Sequence, residues 1–116
     1  MLYTEILNNN RDFLALYRKG KFTASKNIVI YVRKNNLPFN RLGITAGKKI
    51  GNAVHRNRAK RIIRQAYRDN ELSMPLGIDI VIVARSSVCF AKATDLSRYL
   101  QKYGIPEINR LLFGLS

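Results

Sequence analysis

The chain has 116 residues, 47% of them hydrophobic, and carries 21 Lys and Arg against seven Asp and Glu, a formal charge of +14. That length allows one domain around one core, and the apolar fraction is that of a globular protein rather than a disordered one. Cys89 is the only cysteine, which excludes an internal disulfide framework and any multi-cysteine zinc site; no apolar run approaches the ~18 residues of a membrane span.

Met1 to Glu5 lacks the basic-then-apolar profile of a secretory signal, so a cytoplasmic protein that does not enter the membrane is expected. A positive field of this size repels itself unless an anionic partner relieves it, and nucleic acid is the first expectation. In chain order, the first element is a short helix near residues 10–19. The run Asn8 to Asn10 offers an N-cap, and Gly20 suits a left-handed position past the end. Phe13, Leu16 and Tyr17 share one face of this helix. The β-branched run Asn27 to Arg33 is of strand type. Asn35 to Pro38 reads as a turn, and Arg41 to Ala46 as a second strand. A basic helix follows from about Asn52 to Asp69. Met74 to Gly77 breaks the chain before a third strand, Ile78 to Arg85. Cys89, within Val88-Cys89-Phe90-Ala91, reads as a small core residue. Thr94 is a candidate N-cap for a helix over about 95–103, which Gly104-Ile105-Pro106 interrupts. A last short helix carries Ile108, Leu111, Leu112 and Phe113. The order α-β-β-α-β-α, over one domain spanning 1–116, suits a small layered α+β fold.

The stretch Lys48 to Arg68 holds eight Lys or Arg and no acid. Helical spacing gathers Asn57, Lys60, Arg61, Arg64 and Arg68 on one face and Ala59, Ile62, Ile63 and Ala66 on the other. Each like-charge pair at i, i+3 or i+4 costs a few tenths of a kcal/mol. A merely solvated face would mix signs, and this one does not. Arginine dominates it, and the guanidinium fork suits phosphate. The glycine-punctuated Thr45 to Asn52 carries two lysines but lacks the spacing of a nucleotide-binding P-loop.

Within this stretch, Lys48-Lys49-Ile50-Gly51-Asn52-Ala53-Val54-His55-Arg56-Asn57-Arg58-Ala59-Lys60-Arg61, continued by Ile63-Arg64, resembles the signature of the bacterial ribonuclease P protein family. The resemblance extends to Asp12-Phe13 with Tyr17 and Gly20, to Ile30-Tyr31, to Arg41 through Ile44, and to Ile80 through Arg85. The first ten residues and the stretch from about Gly104 find little match. Asn8 to Asn10 stand where family members often carry basic residues. The resemblance implies an α/β sandwich with a small central sheet and a left-handed βαβ crossover, against the usual right-handed rule. It also implies two RNA-facing surfaces. Lys48, Lys49, Asn52, Arg56, Asn57, Arg58, Lys60, Arg61, Arg64 and Arg68 would meet the catalytic RNA subunit. A cleft between the first helix and the sheet would take the 5′ leader of precursor tRNA.

Strand alternation supports such a cleft independently. It sends Val29, Tyr31 and Arg33 to one face and Ile28, Ile30 and Val32 to the other, and separates Val81, Val83 and Arg85 from Ile78, Ile80 and Ile82. With the aliphatic faces in the core, Tyr31, Arg33 and Arg85 lie on the open side, where Phe13 and Tyr17 can complete an aromatic platform for bases. Core packing is an equal claim on Phe13. His55 projects towards the apolar side of its helix.

The acids Glu5, Asp12, Asp69, Glu71, Asp79, Asp95 and Glu107 are scattered singly, with no His or Cys cluster to supply ligands. No catalytic residue and no protein-held metal are expected. The chain is expected to act as one copy per RNA in a ribonuclease P holoenzyme whose Mg²⁺ and catalysis belong to the RNA, releasing the mature tRNA 5′ end. The alternative is a general RNA-binding or ribosome-associated protein without precursor preference. A membrane-surface protein would need bulkier exposed apolar residues on the basic helix.

Overall fold

The computed structural model describes residues 1–114. In chain order the elements are β1 (Thr4–Ile6), α1 (Asn10–Lys19), β2 (Lys21–Ala24), β3 (Ile28–Lys34), β4 (Asn40–Thr45), α2 (Ala53–Asn70), β5 (Ile78–Ala84), α3 (Ala93–Tyr99) and α4 (Ile105–Phe113). One five-stranded sheet has the order β1-β4-β5-β3-β2. β4 runs parallel to both β1 and β5, and β3 runs antiparallel to β5 and β2. The parallel β4–β5 pair is joined through α2, so the basic helix is the crossover of a βαβ unit.

The alternation read from the sequence sets the two faces of the sheet. Ile28, Ile30 and Val32 of β3 and Ile78, Ile80 and Ile82 of β5 are buried in the main core. Ala59, Ile62, Ile63, Ala66 and Tyr67 of α2 join them there, with Leu96, Leu100, Ile105 and Ile108 from the C-terminal helices. Each fully buried Ile or Leu contributes about 2 kcal/mol to holding these layers together. On the opposite face Leu7, Leu16 and Val81 form a smaller cluster, with Phe13, Tyr31 and Val83 packed around it. Cys89 is buried in the main core.

Several local expectations need correction. The helix α1 is capped by Asn9, whose side chain accepts from the Arg11 N–H at 2.8 Å. Gly20, however, is extended (φ −72°, ψ 162°), not left-handed. Glycine is needed there for space, since a Cβ would lie 2.5 Å from the Leu16 carbonyl oxygen. Helix α3 starts at Ala93, so Thr94 is in its first turn and not at the cap; the Asp95 carboxylate accepts from the Lys92 N–H at 3.4 Å. Nor do Gly104 and Pro106 end the helix. Residues Leu100–Gly104 form a π-helical turn in which the Ile105 N–H reaches back to the Leu100 carbonyl. Proline lacks an N–H and crowds the carbonyl four residues before it, and the wider turn accommodates both effects.

The strands β1 and β2 have no counterpart in the sequence reading. Both are short edge strands that exist through their partners. The segment ahead of β1 is strapped to the end of α2 by Glu71, which accepts from the backbone N–H groups of Leu2 (2.9 Å) and Tyr3 (3.2 Å). The hydroxyls of Thr4 and Tyr67 share a further bond of 2.8 Å.

Candidate nucleic-acid interface

The outer face of α2 is built from its cap outward. Asn52 accepts from the His55 N–H at 3.0 Å and lies 2.9 Å from the His55 ring Nδ1. His55 is thus exposed beside the cap instead of lying on the apolar side. No acid occupies the first turn, and Lys48 and Lys49 stand exposed in the turn just before it. Asn57, Arg58, Arg61, Arg64 and Arg68 are exposed along the helix; Arg56 and Lys60 are half-buried. Among the described residues, the ion pairs involve Arg33, Arg41, Arg98 and Arg110, and none of the α2 cations. Asp69 accepts from Gln65 at 2.8 Å instead of pairing with an arginine. Arg58 donates to the Cys89 carbonyl at 3.3 Å, which fixes its stem against the segment after β5.

Two grooves flank this ridge. One of about 600 Å³ lies between α2 and residues 91–93, and one of about 400 Å³ is bounded by residues 6–8, β4, Phe13, Lys60 and Arg64. Arg64 lines both, and the second brings a side chain of α1 together with two cations of α2.

The other face of the sheet carries the aromatic cluster. Tyr31 is central: Tyr17 meets it edge-on at 4.9 Å between centroids, and the tilted ring of Phe22 lies 5.7 Å away. Phe22 is 60% exposed and Tyr17 40%, so both present ring surface to solvent. Phe13 is half-buried against Leu7, Leu16 and Val81. It closes on Gly43, where a Cβ would sit 2.3 Å from its Cε1. Core packing therefore accounts for much of Phe13, and an edge of it lines the second groove.

Arg33 and Arg85 are not neighbours. Arg33 pairs with Asp79 across the β3–β5 ladder, whereas Arg85 lies six residues further on, just past the end of β5, roughly 20 Å away at ~3.3 Å per residue. Arg85 donates to the Ser25 carbonyl at 2.9 Å. Arg33 is committed to carboxylates: its Nε donates to Asp79 at 2.9 Å and its Nη2 to Asp12 at 3.2 Å. Arg41 donates to both oxygens of Asp79, at 2.8 and 2.7 Å, and Asn35 adds a bond of 3.0 Å.

Sequence reasoning missed Phe22 and the group formed by Asp12, Asp79 and Arg41. Phe22 lies in a four-residue strand too short to show alternation, and only register sets it opposite Tyr31. Asp79 interrupts an aliphatic strand, which was the available signal of a buried charge needing partners. The carboxylates of Asp12 and Asp79 are held by arginines, a donor set unsuited to a divalent cation. Among the described residues no three His, Cys, Asp or Glu side chains gather in a metal-binding group.

An arginine-rich helix on one face of a five-stranded sheet and an aromatic cluster on the other define a class of small, strongly basic α+β proteins with a surface suited to polyanions. The comparisons with known proteins agree with the motif. A family model described as Ribonuclease P matches residues 1–104, so the match begins at the first residue and covers the ten that had looked divergent. The ribonuclease P protein component of Lachnoclostridium phytofermentans is 49% identical over 83 residues, 72% of each chain. That of Syntrophus aciditrophicus is 42% identical over 97 residues, covering 84% of this chain and 82% of its own. The solved ribonuclease P protein of Staphylococcus aureus superposes with a TM-score of 0.76 at 31% identity, over 92% of this chain and 96% of that one. The protein from Thermotoga maritima, solved with 1-(4-fluorophenyl)-2-thiourea, gives 0.74 at 33% identity over 82% and 92%. The chain belongs to the ribonuclease P protein component family, and with it to the machinery of tRNA 5′ processing. No described helix is long and apolar enough to cross a membrane.

Proposed function

We propose that this chain, in the cytoplasm and as one copy per RNA, binds the catalytic RNA of ribonuclease P through α2 and the turn carrying Lys48 and Lys49. The observation that carries this reading is the run of α2 cations outside every described ion pair on a helix without first-turn acids. A folded protein leaves such a row uncompensated at a cost in self-repulsion, and a phosphate backbone relieves it. The aromatic cluster of Tyr17, Phe22 and Tyr31 receives the single-stranded 5′ leader of precursor tRNA, since rings exposed beside cations stack bases with little sequence preference. Arg85, and the outer part of Arg33, supply phosphate contacts at its two ends. The chain binds and positions; Mg²⁺-dependent hydrolysis is left to the RNA, and the protein lowers the Mg²⁺ that the RNA requires.

Cleavage of a precursor tRNA by a bacterial ribonuclease P RNA at low Mg²⁺, with and without the protein, tests this reading. Stimulation is expected only when RNA and protein are both present. Cleavage by the protein alone would place the chemistry in the wrong molecule. Tyr31→Ala should weaken binding of leader-bearing precursor by roughly tenfold, the worth of one stacked base, and mature tRNA much less. Equal losses would remove Tyr31 from leader binding, and equal affinities of the unmodified protein for both RNAs would favour a general RNA-binding role.

A further inference from the structure

The groove between α2 and residues 91–93 has two kinds of lining. Arg58, Arg61, Arg68 and Lys92 are exposed cations, whereas Ile62, Ala91 and Ala93 are buried or half-buried apolar side chains. Among the described residues no carboxylate lines it. Phosphate binding alone needs a row of cations and no apolar concavity. A volume of about 600 Å³ is ample for one nucleotide.

A second observation lies next to it. Phe90 is 92% exposed, the largest value among the described large hydrophobic side chains. Its ring does nothing for the core. Ala91 borders both the groove and the adjoining depression lined by Phe90, Lys26 and Asp95. The negative charge of Asp95 is engaged locally, by the Lys92 N–H at 3.4 Å and Arg98 at 3.9 Å.

We propose that Phe90 and this groove form a second nucleobase site, on the face of the sheet opposite Tyr31, that takes one unpaired nucleotide of a structured RNA. The base lies against Phe90 and the apolar lining, and the flanking phosphates lie on Arg61, Arg68 and Lys92. This inference rests on the reading of α2 as an RNA-binding face and specifies the RNA feature it accepts. A paired A-form helix keeps its bases stacked, so an unpaired nucleotide is what such a site distinguishes.

The test compares two RNA hairpins, one fully paired and one with a single bulged adenosine, titrated against the full chain by fluorescence anisotropy. The bulged hairpin should bind roughly tenfold more tightly, as expected for one base stacked on an aromatic ring. In Phe90→Ala, which removes a ring too exposed to support the fold, that ratio should fall to about one. Ala91→Leu, which fills the groove at constant charge, should do the same. Tyr103→Ala, removing an aromatic residue that is 66% exposed elsewhere, should retain the ratio. A bulge preference that survives both Phe90→Ala and Ala91→Leu overturns the proposal, as does equal binding of the two hairpins by the unmodified protein. Competition by free adenosine monophosphate at micromolar concentration would make this a mononucleotide site and overturn the assignment to RNA. If neither hairpin binds in a salt-dependent manner, the RNA-binding reading of α2 fails as well, a result distinct from tight, salt-dependent binding without preference.

Discussion

Asp79 has no solvent exposure, and its oxygens accept from Arg33, Arg41 and Asn35. Burial alone would raise its pKa, but those hydrogen bonds and the charge of Arg41 hold it below the ordinary aspartate value. Glu71 follows the same logic: burial raises it, and Thr4, the Leu2 and Tyr3 N–H groups and the terminal ammonium together bring it below the usual glutamate value. A carboxylate with a lowered folded-state pKa binds protons less readily folded than unfolded. Its stabilisation is complete above the unfolded-state pKa and is lost as pH falls through the folded one. The thermal midpoint should therefore be flat from neutrality to about pH 5 and decline below about pH 4. Asp79→Ala, which leaves two half-buried arginines without their shared partner, should cost about 3 kcal/mol in urea unfolding and weaken the acid dependence. An unaltered denaturation midpoint would show that solvent already satisfies Arg33 and Arg41. The same carboxylate holds Arg33 near the end of the β3–β5 ladder, so Asp79 fixes where that guanidinium lies.

At the scale of elements, α2 combines a good seam with a poor surface. Its apolar stripe is anchored in the main core, while its outer arginines repel one another and two lysines precede the positive end of the helix dipole. The Asn52 cap compensates locally by satisfying the His55 N–H. Asn52→Ala should cost about 1 kcal/mol of stability, read as a lowered urea midpoint. A midpoint shift near zero would mean that tertiary packing alone fixes where the helix begins. Both α2 and β3 could be read from the chain because each repeats its pattern over several turns or residues. The short strands β1 and β2 could not, since three or four residues show no period and their hydrogen bonds come from β4 and β3.

For the whole molecule, a charge of +14 spread over a small globular protein makes folding and binding respond to salt in opposite directions. Raising NaCl from 50 to 300 mM should raise the melting temperature of the free protein by screening self-repulsion. Over the same range RNA affinity should fall. Taking α2 to make about five phosphate contacts, the log–log slope should be roughly −3.5 to −4.5. A melting temperature that falls with salt would mean that attractive pairs, such as those around Asp79, outweigh the repulsion. A slope near zero would remove the phosphate contacts from the account.

The layered α+β class, the core faces of β3 and β5, the cationic face of α2 and the family were legible in the chain alone. Each of these rests on local periodicity, composition or a run of specific residues. The three-dimensional arrangement, by contrast, settles which distant residues meet. It set Phe22 opposite Tyr31 and buried Asp79 beneath two arginines. It also separated Arg33 from Arg85 and carried the C-terminal helix through Gly104 and Pro106 on a π turn. The reason is physical: strand register, buried charge compensation and helix continuity depend on partners far away in the chain, which local sequence pattern does not encode.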